Sequence, residues 1–282
     1  MPNASQKILS ISDLFEGDIK LASPPNIYFE LQKTVEDRTK SIKDSAFIIE
    51  KDASLALKLL KIVNSAFYGF PSKIASIDRA INLVGVTELQ NLLLSTIVLD
   101  KFADSPNDLL SMHDFWAKNL RCALIAQEID RYLGNKFCDS IFICGILHNI
   151  GQLIFFRRIP DLAKQVHLAT YEHEDSSSSY EIEIETNLIG FDRYQTGALL
   201  TKQWKLPDII SESIKLHAYP DDTGPYYQIA AIVRVADGYS RIDHNTCEIT
   251  EDTLNIPSED MSHVIELAYN RFEEVFKFFY QG

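Results

Sequence analysis

Apolar side chains recur at helical spacing along nearly the whole chain, and this pattern predicts an all-α protein. One segment has apolar residues on a single helical face at Leu55, Leu59, Ile62 and Val63. Asp52 can cap the start of this helix, and Asn64 is its expected end. Alternating apolar and polar residues, which are typical of a strand, occur only briefly, at Ile182 and Ile184.

Residues that favour helix starts and ends divide the rest of the chain into further predicted helices. Starts are predicted at Ser23-Pro24, Ser41, the capping box Thr87–Gln90, Asp139 and Pro207. Longer predicted spans are Ser76–Gly85, Asp114–Leu133, Tyr227–Asp237 and Asp260–Tyr280. Two polar stretches are predicted to lie outside helices: Ser105–His113 as a connector between subdomains, and Glu172–Ser179 as an exposed turn.

The predicted last helix is amphipathic. Its apolar positions are Val264, Leu267, Phe272 and Phe276, with Phe279 beyond them. Such a face can close the core of its own chain or pair with a second copy. We favour core closure, because apolar stripes more often bury within their own chain.

Composition narrows the class of protein. The chain has 282 residues, of which 46% are hydrophobic and 24% charged, as in ordinary globular proteins. Its net charge of −13 argues against a general nucleic-acid binder, which needs a basic face. No signal peptide or membrane span is expected. The four cysteines, Cys122, Cys138, Cys144 and Cys247, are not closely paired, so we expect them reduced and mostly buried in a cytoplasmic protein.

Candidate chemistry is concentrated in a few polar residues on apolar helical faces. His148, His217 and Asp237 each share such a face with aliphatic residues, so each must be paired, hydrogen-bonded or bound to a metal. Any one of them alone is more typical of a hydrogen-bonded core residue, but the three together suggest a pocket. Lys118 either points to the same interior or extends to water. The chain has no glycine-rich phosphate loop, no Gly-x-Ser-x-Gly and no His-Glu-x-x-His.

A second group of polar residues, Asn64, Ser65 and Tyr68, follows the helix described first. It can form a helix end with an aromatic anchor, or a recognition surface. The spacing alone favours the structural interpretation.

Two sets of motifs resemble the HDOD (HD-related output domain) family, from about Ala22 to Tyr239. The N-terminal set comprises Pro24-Pro25, Ile48–Asp52, Leu59–Tyr68 and Ile77–Gly85. The C-terminal set comprises Phe115-Trp116, Cys144–Gly151, Gly197–Leu200, Trp204–Pro207 and Val235–Asp237. The resemblance implies two helical lobes, the second similar to HD phosphohydrolases, in a bacterial signalling module. We therefore expect an extension at 1–21, lobes at 22–110 and 111–240, and a C-terminal helical extension at 241–282.

The resemblance also implies where the metal ligands of HD enzymes would fall. The first histidine matches Lys118, the His-Asp pair matches His148 and Asn149, and the last aspartate matches Asp237. A His-His pair of many relatives is His217-Ala218 here, and a further histidine is replaced by Arg193. A lysine in place of a ligand adds a cation that repels a divalent metal. We therefore expect a degenerate site without metal or cofactor.

The function expected from this resemblance is a non-catalytic module that acts on an unidentified signalling protein. Lys118 is then expected to pair with Asp237. Two alternatives remain open: a metal-dependent phosphohydrolase acting on a nucleotide or cyclic dinucleotide, and a nucleotide sensor without turnover. In the sensor, Lys118 and Arg193 would make the pocket an anion site. The oligomeric state is not predicted.

Overall fold

The computed structural model describes residues 10–17, 26–65, 68–102, 110–137, 140–171, 178–218, 223–241 and 254–280. A short 3-10 helix, Ile11–Phe15, precedes the α-helices. The first five are α1 (Asn26–Glu36), α2 (Ile42–Glu50), α3 (Ala53–Val63), α4 (Ile77–Val84) and α5 (Val86–Lys101). The next are α6 (Met112–Tyr132), α7 (Ile141–Leu147), α8 (Ile150–Arg158), α9 (Pro160–Tyr171) and α10 (Ser178–Ile189). The last are α11 (Arg193–Gln203), α12 (Asp208–Ala218), α13 (Tyr227–Ser240) and α14 (Ser258–Tyr280). The all-α prediction is confirmed, since the described residues contain no strand.

Local capping explains several helix ends. Ser41 and Asp52 stand at the predicted starts, and the Asp52 side chain accepts a 3.0 Å hydrogen bond from the Leu55 amide. The predicted start at Thr87 is wrong: α5 begins directly after Gly85. Gly85 has φ 90°, which a residue without Cβ adopts readily, so the chain turns sharply and re-enters a helix at once. The predicted starts at Ser23-Pro24 and Asp139 lie outside the described residues.

Two predictions from apolar spacing are corrected. Ile182 and Ile184 lie in helix α10, and Ser178 and Ser179, predicted as part of a turn, begin that helix. Leu267 is 40% exposed, and Ala268 faces the core instead. The buried residues of α14 are spaced four apart, at Val264, Ala268, Phe272 and Phe276. Leu267 therefore lies on the outward face of the helix.

The helices pack in two groups that meet along α5, α7 and α14. Helices α1–α5 contact one another, and α13, α14 and α7 surround the long helix α6. Helices α8, α11 and α12 extend the second group. Helix α14 lies on α6 and also contacts α3 and α5, which agrees with core closure by the tail.

Helices α6 and α7 pack closely together at Gly145 of α7. A Cβ built there would lie 2.5 Å from the Cα of Ala123 on α6, so only glycine allows this approach.

The cysteine prediction holds for the two described cysteines, since Cys122 and Cys144 are free and buried. Cys138 and Cys247 lie outside the described residues. Within the described ranges, no helix by itself has the length and apolarity to cross a membrane; α4 and α5, bent by 116°, meet those criteria only as a pair.

Candidate functional site

The polar residues predicted from sequence come from four helical segments of the second group. Lys118 lies on the inward face of α6, where Cys122 and Ile125 are fully buried. His148 and Asn149 form the break between α7 and α8, so His148 stands at the C-cap of α7.

His217 comes from the last turn of α12, and Asp237 from α13. Both His217 and Asp237 lie on apolar helical faces and are buried, as the spacing of the aliphatic residues around them predicted. The residues named as a possible pocket therefore do meet in the fold.

The Asp237 carboxylate is the centre of the site. Its Oδ1 lies 2.8 Å from Nζ of Lys118 and 3.2 Å from Nε2 of His148. Its Oδ2 lies 3.6 Å from Nε2 of His217. Asp237 is 1% exposed and the Lys118 side chain 23% exposed, so the lysine reaches the interior instead of extending to water. The predicted ion pair is present.

Charge and burial set the protonation of this group. Burial alone would raise the pKa of Asp237, but the charge of Lys118, followed by His148, holds it well below its usual range. Burial lowers the pKa of His217 to about 4, although the neighbouring Asp237 carboxylate opposes this. Asp237 is therefore ionised and His217 neutral at neutral pH.

The two imidazoles keep free nitrogen atoms inside the protein. Nδ1 of His148 donates to the Gly145 carbonyl at 2.7 Å, which leaves Nε2 without a hydrogen-bond partner. Neither ring nitrogen of His217 has one. The His217 ring stacks on His148 at 5.2 Å and on Tyr194 at 4.4 Å between centroids. These stacked rings hold the unpartnered nitrogens close to Asp237.

A chain of alternating charges continues from Asp237. Its members in order are Lys118, Asp237, Arg241, Glu181, Arg193 and Glu185. Nη2 of Arg241 lies 4.0 Å from Asp237 and 3.6 Å from Glu181. Arg193 contacts Glu181 at 3.0 Å and Glu185 at 2.6 Å. Each cation in the chain has a carboxylate neighbour.

Sequence reasoning missed three members of this chain, Arg241, Glu181 and Glu185. Two signals were available: the glutamates are four residues apart on one helix, and Arg241 follows Asp237 by four residues. Burial raises the pKa of Glu185 to about 7, with Arg193 opposing the rise. The pKa of Glu181 is lowered, because Arg193 and Arg241 together outweigh its burial.

Asn149 makes local contacts. Its Nδ2 donates to Oε1 of Gln152 at 2.9 Å, and its Oδ1 is buried without a hydrogen-bond partner. The residue stands at the N-cap of α8 without a capping hydrogen bond. Ala218, beside His217, is half-buried and supplies no ligand atom.

The second predicted group, Asn64, Ser65 and Tyr68, makes hydrogen bonds to other residues of the chain. Asn64 donates from Nδ2 to the carbonyls of Leu60 and Ile74 at 2.7 and 2.8 Å, and its Oδ1 accepts from the Ile74 amide at 2.7 Å. Ser65 donates to Ile62 at 2.6 Å, and Tyr68 to Glu88 at 2.7 Å. The amide of Asn64 therefore clamps the loop that leads to α4. A recognition role for this segment stays a prediction.

The donor set at Asp237 does not fit a divalent metal ion. His148 and His217 offer nitrogen lone pairs, but the ammonium group of Lys118 occupies the side of the carboxylate that His148 faces. A metal there would approach a fixed positive charge. Among the residues that the structure describes, no three His, Cys, Asp or Glu side chains are grouped so as to hold a metal.

Comparison with known proteins gives one family and several similar folds. Residues 21–220 match the family model of the HDOD domain. This match ends before α13, so Asp237 lies beyond it. Two curated relatives are an uncharacterized protein of Treponema pallidum, 28% identical over 68% of this chain, and the uncharacterized protein YuxH of Bacillus subtilis, 30% identical over 50%. The matches cover 36% and 34% of those proteins, so the chain spans about a third of their length.

Similar solved structures cover nearly the whole chain. A candidate phosphohydrolase from Shewanella amazonensis superposes with a TM-score of 0.73, at 22% identity, over 94% of this chain and 98% of its own. An HDOD domain protein of unknown function from Geobacter sulfurreducens gives 0.68, at 22% identity, over 90% and 86%. A candidate signal transduction protein from Marinobacter aquaeolei gives 0.68, at 19% identity, over 91% and 58%. At these identities the likeness concerns the fold alone.

Proposed function

The chain belongs to the HDOD family, and from this premise we propose that it is a signal-transduction module that catalyses no reaction and acts through contacts with another protein. The observation that carries the proposal is the 2.8 Å contact between Nζ of Lys118 and Oδ1 of Asp237. In a hydrolytic site a metal ion would lie against the Asp237 carboxylate. Here the ammonium group of Lys118 lies there instead.

Charge balance supports the same proposal. A hydrolytic metal site needs excess negative charge, and a phosphate site needs excess positive charge. Above the raised pKa of Glu185, where all six groups are ionised, the chain from Lys118 to Glu185 holds three cations and three carboxylates, in alternating order. Such a group attracts neither ligand strongly, so we assign it a structural role in the second lobe.

The first experiment tests catalysis. Purified protein is analysed for bound iron, manganese, magnesium and zinc, and assayed for phosphodiesterase activity on nucleotides and cyclic dinucleotides. We expect no stoichiometric metal and no hydrolysis. In the double variant Lys118→His/Asn149→Asp, which puts an imidazole and a carboxylate at two positions where the resemblance places metal ligands, we expect uptake of about one metal ion per chain. Stoichiometric metal in the wild type, with activity lost in His148→Ala, would contradict the proposal.

The second experiment tests signalling. A bacterial strain lacking this gene is complemented with the wild type or with His148→Gln. A module that works by protein contacts should retain its cellular effect in His148→Gln, provided that the variant is folded. Failure of a folded His148→Gln to complement would favour chemistry at the pocket.

One observation favours the phosphohydrolase alternative. The buried Nε2 of His148 and both ring nitrogens of His217 lack hydrogen-bond partners, as metal-binding imidazoles do when the metal is absent. This function requires Lys118 to leave Asp237. The metal analysis above decides between the two functions.

The nucleotide-sensor alternative has a separate test. A nucleotide present at 100 times its dissociation constant should stabilise the protein by about 2.7 kcal/mol, which a thermal-shift screen detects. Because Lys118 and Arg193 are both paired with carboxylates, we expect no such shift.

A further inference from the structure

A short segment at the start of the described chain packs into the body of the protein. Residues 10–17 comprise the 3-10 helix Ile11–Phe15 and its two ends. Leu14 is 1% exposed and Phe15 6% exposed, so both side chains belong to the hydrophobic core. The match to the HDOD domain begins at residue 21, so this segment lies outside the matched domain although it fills part of the core.

Arg158, the last residue of α8, shows where the segment docks. Its Nη2 donates to the Glu16 carbonyl at 2.6 Å, across 142 positions of the chain. Helix α9 begins at Pro160, so this hydrogen bond lies at the corner between α8 and α9. Phe15 directly precedes Glu16, so its buried ring lies close to the same corner.

The α8–α9 corner and the segment have opposite charges. Arg157 and Arg158 are consecutive at the end of α8 and outnumber Asp161 in the first turn of α9, within a chain of net charge −13. The segment carries Asp13 and Glu16 and no basic residue. Nε of Arg158 is buried without a hydrogen-bond partner, so its guanidinium keeps a donor for a further acceptor. Such a corner favours acidic ligands.

The docked segment has little stability of its own. A helix of five residues does not form alone in water. Its Ser10 amide donates to the Asp13 carboxylate at 2.9 Å, which is a contact within the segment. Docking offsets the conformational entropy of eight ordered residues mainly with two buried side chains and the hydrogen bond from Arg158. Because these contributions are similar in size, we expect the docked and detached states to be close in free energy.

We propose that residues 10–17 are an internal ligand, and that the site they fill at the α8–α9 corner is a docking site for a partner protein. The partner's segment has the chemistry of the one now bound: two adjacent large apolar side chains flanked by carboxylates. It binds when residues 10–17 detach. This inference rests on the proposed function, since a module that acts through protein contacts needs a surface for its partner.

The test uses a dye-labelled peptide with the sequence of residues 10–17, whose fluorescence anisotropy reports binding to the full chain. In the open variant, Leu14→Ser/Phe15→Ser, the protein's own segment loses the side chains that hold it in the site. The control variant Phe47→Ser/Leu57→Ser makes the same changes at positions that are 64% and 61% exposed. Urea unfolding establishes that each variant is folded.

We expect the peptide to bind the open variant, and to bind the wild type and the control at least about tenfold more weakly, because their site is already filled. A peptide with serine at both apolar positions should not bind. Adding Arg158→Met to the open variant should weaken binding about tenfold, since the hydrogen bond to the Glu16 carbonyl is lost. The proposal is overturned by no binding to a folded open variant, by equal binding to the wild type, or by unchanged affinity after Arg158→Met.

Hydrogen exchange in the wild type is a second measurement, which remains possible if the open variant does not fold. The amides of residues 13–15 should exchange at least about 100-fold faster than those of α8, because the segment detaches while the helices stay folded. Exchange as slow as that of α8 would show that the segment leaves only on global unfolding, which contradicts the proposal.

A second copy of this chain is another occupant of the site, by exchange of its own residues 10–17. Light scattering compares the masses of the wild type and the open variant, and the proposal expects equal masses. A dimer in the wild type that is absent in the open variant would assign the site to a second copy and overturn the separate partner.

Peptide binding and metal binding give separate results. Stoichiometric metal at Asp237 would overturn the proposed function and leave the internal ligand in place. Failure of the peptide to bind would remove the docking site and leave the metal analysis unaffected.

Discussion

Nζ of Lys118 lies 2.8 Å from Oδ1 of Asp237, and this ion pair fills the centre of the second helix group. Asp237 is almost fully buried and Lys118 is mostly so. An ion pair in this setting adds little stability compared with well-packed apolar residues, but breaking it leaves an unpaired buried charge. Removing Lys118 should therefore destabilise the fold, because Asp237 stays buried without its closest cation.

Replacing Lys118 with methionine should lower the free energy of unfolding by about 3 kcal/mol, because the buried Asp237 carboxylate loses its closest cation. Urea unfolding measures the change. The double variant Lys118→Met/Asp237→Asn is the control, since it removes both charges. It should recover part of the loss. A double variant less stable than Lys118→Met would show that the lysine charge is not what Asp237 requires.

Gly151 should tolerate no side chain. A Cβ at this position would lie 1.8 Å from the Arg193 carbonyl oxygen and 2.9 Å from the Gly197 amide nitrogen, so α8 and α11 would have to separate. We expect Gly151→Ala to destabilise the fold by about 3 kcal/mol, in the upper range for point substitutions.

Gly224→Ala is the matched comparison for this prediction. A Cβ at Gly224 meets nothing within 4 Å. Its thermal midpoint should stay within about 2 °C of the wild type, since surface substitutions usually change stability little. Equal midpoints for the two variants would mean that α8 and α11 can shift apart at little cost.

The fold class could be predicted because helical spacing and caps act locally. The Leu55 face and its Asp52 cap are both present in α3. The error at Thr87 arose because a valid capping motif, with Thr87 as N-cap, competed with Gly85, which has a positive φ and is the N-cap two residues earlier. Local patterns do not show which of two adjacent start signals the tertiary packing selects.

The candidate site was only partly predictable. His148, His217 and Asp237 stood out because polar groups on apolar faces need partners. Arg241 and Glu181 did not, because their roles depend on how α10 and the end of α13 meet, which is set by packing between segments distant in sequence. The same limit applies to α14, whose apolar face was recognised while its contacts with α13 were not.

Asn64 should matter for stability through its contact with Ile74. Its side chain makes two hydrogen bonds to the backbone of Ile74, ten residues away, and one to Leu60. Asn64→Ala leaves the Ile74 amide and carbonyl without these partners, so we expect a loss of about 2 kcal/mol in urea unfolding.

Asn82→Ala provides the comparison for the Asn64 clamp. Asn82 makes a single exposed hydrogen bond, to the Asp78 carbonyl within α4. Its removal should cost less than about 0.5 kcal/mol. If Asn64→Ala is as mild as Asn82→Ala, the loop is held by other contacts and the polar residues at 64 and 65 need another explanation.

His217 should make the protein less stable in acid. Burial lowers its pKa to about 4 from the ordinary 6.5, and the groups around it are Asp237, His148, Tyr194 and Arg234. Between these two values the unfolded chain binds a proton that the folded chain does not, so stability falls as the pH drops from about 7 to about 5. For these pKa values the loss attributable to His217 is about 2 kcal/mol over that interval.

The measurement compares urea unfolding of the wild type and His217→Gln at both pH values. Other groups contribute to each slope; the raised pKa of Glu185 acts in the opposite direction, because a folded state that binds more protons gains stability in acid. The difference between the two proteins isolates His217. The wild type should lose about 2 kcal/mol more than the variant between pH 7 and pH 5. Parallel slopes would mean that His217 is protonated in the folded protein and pairs with Asp237 as a cation.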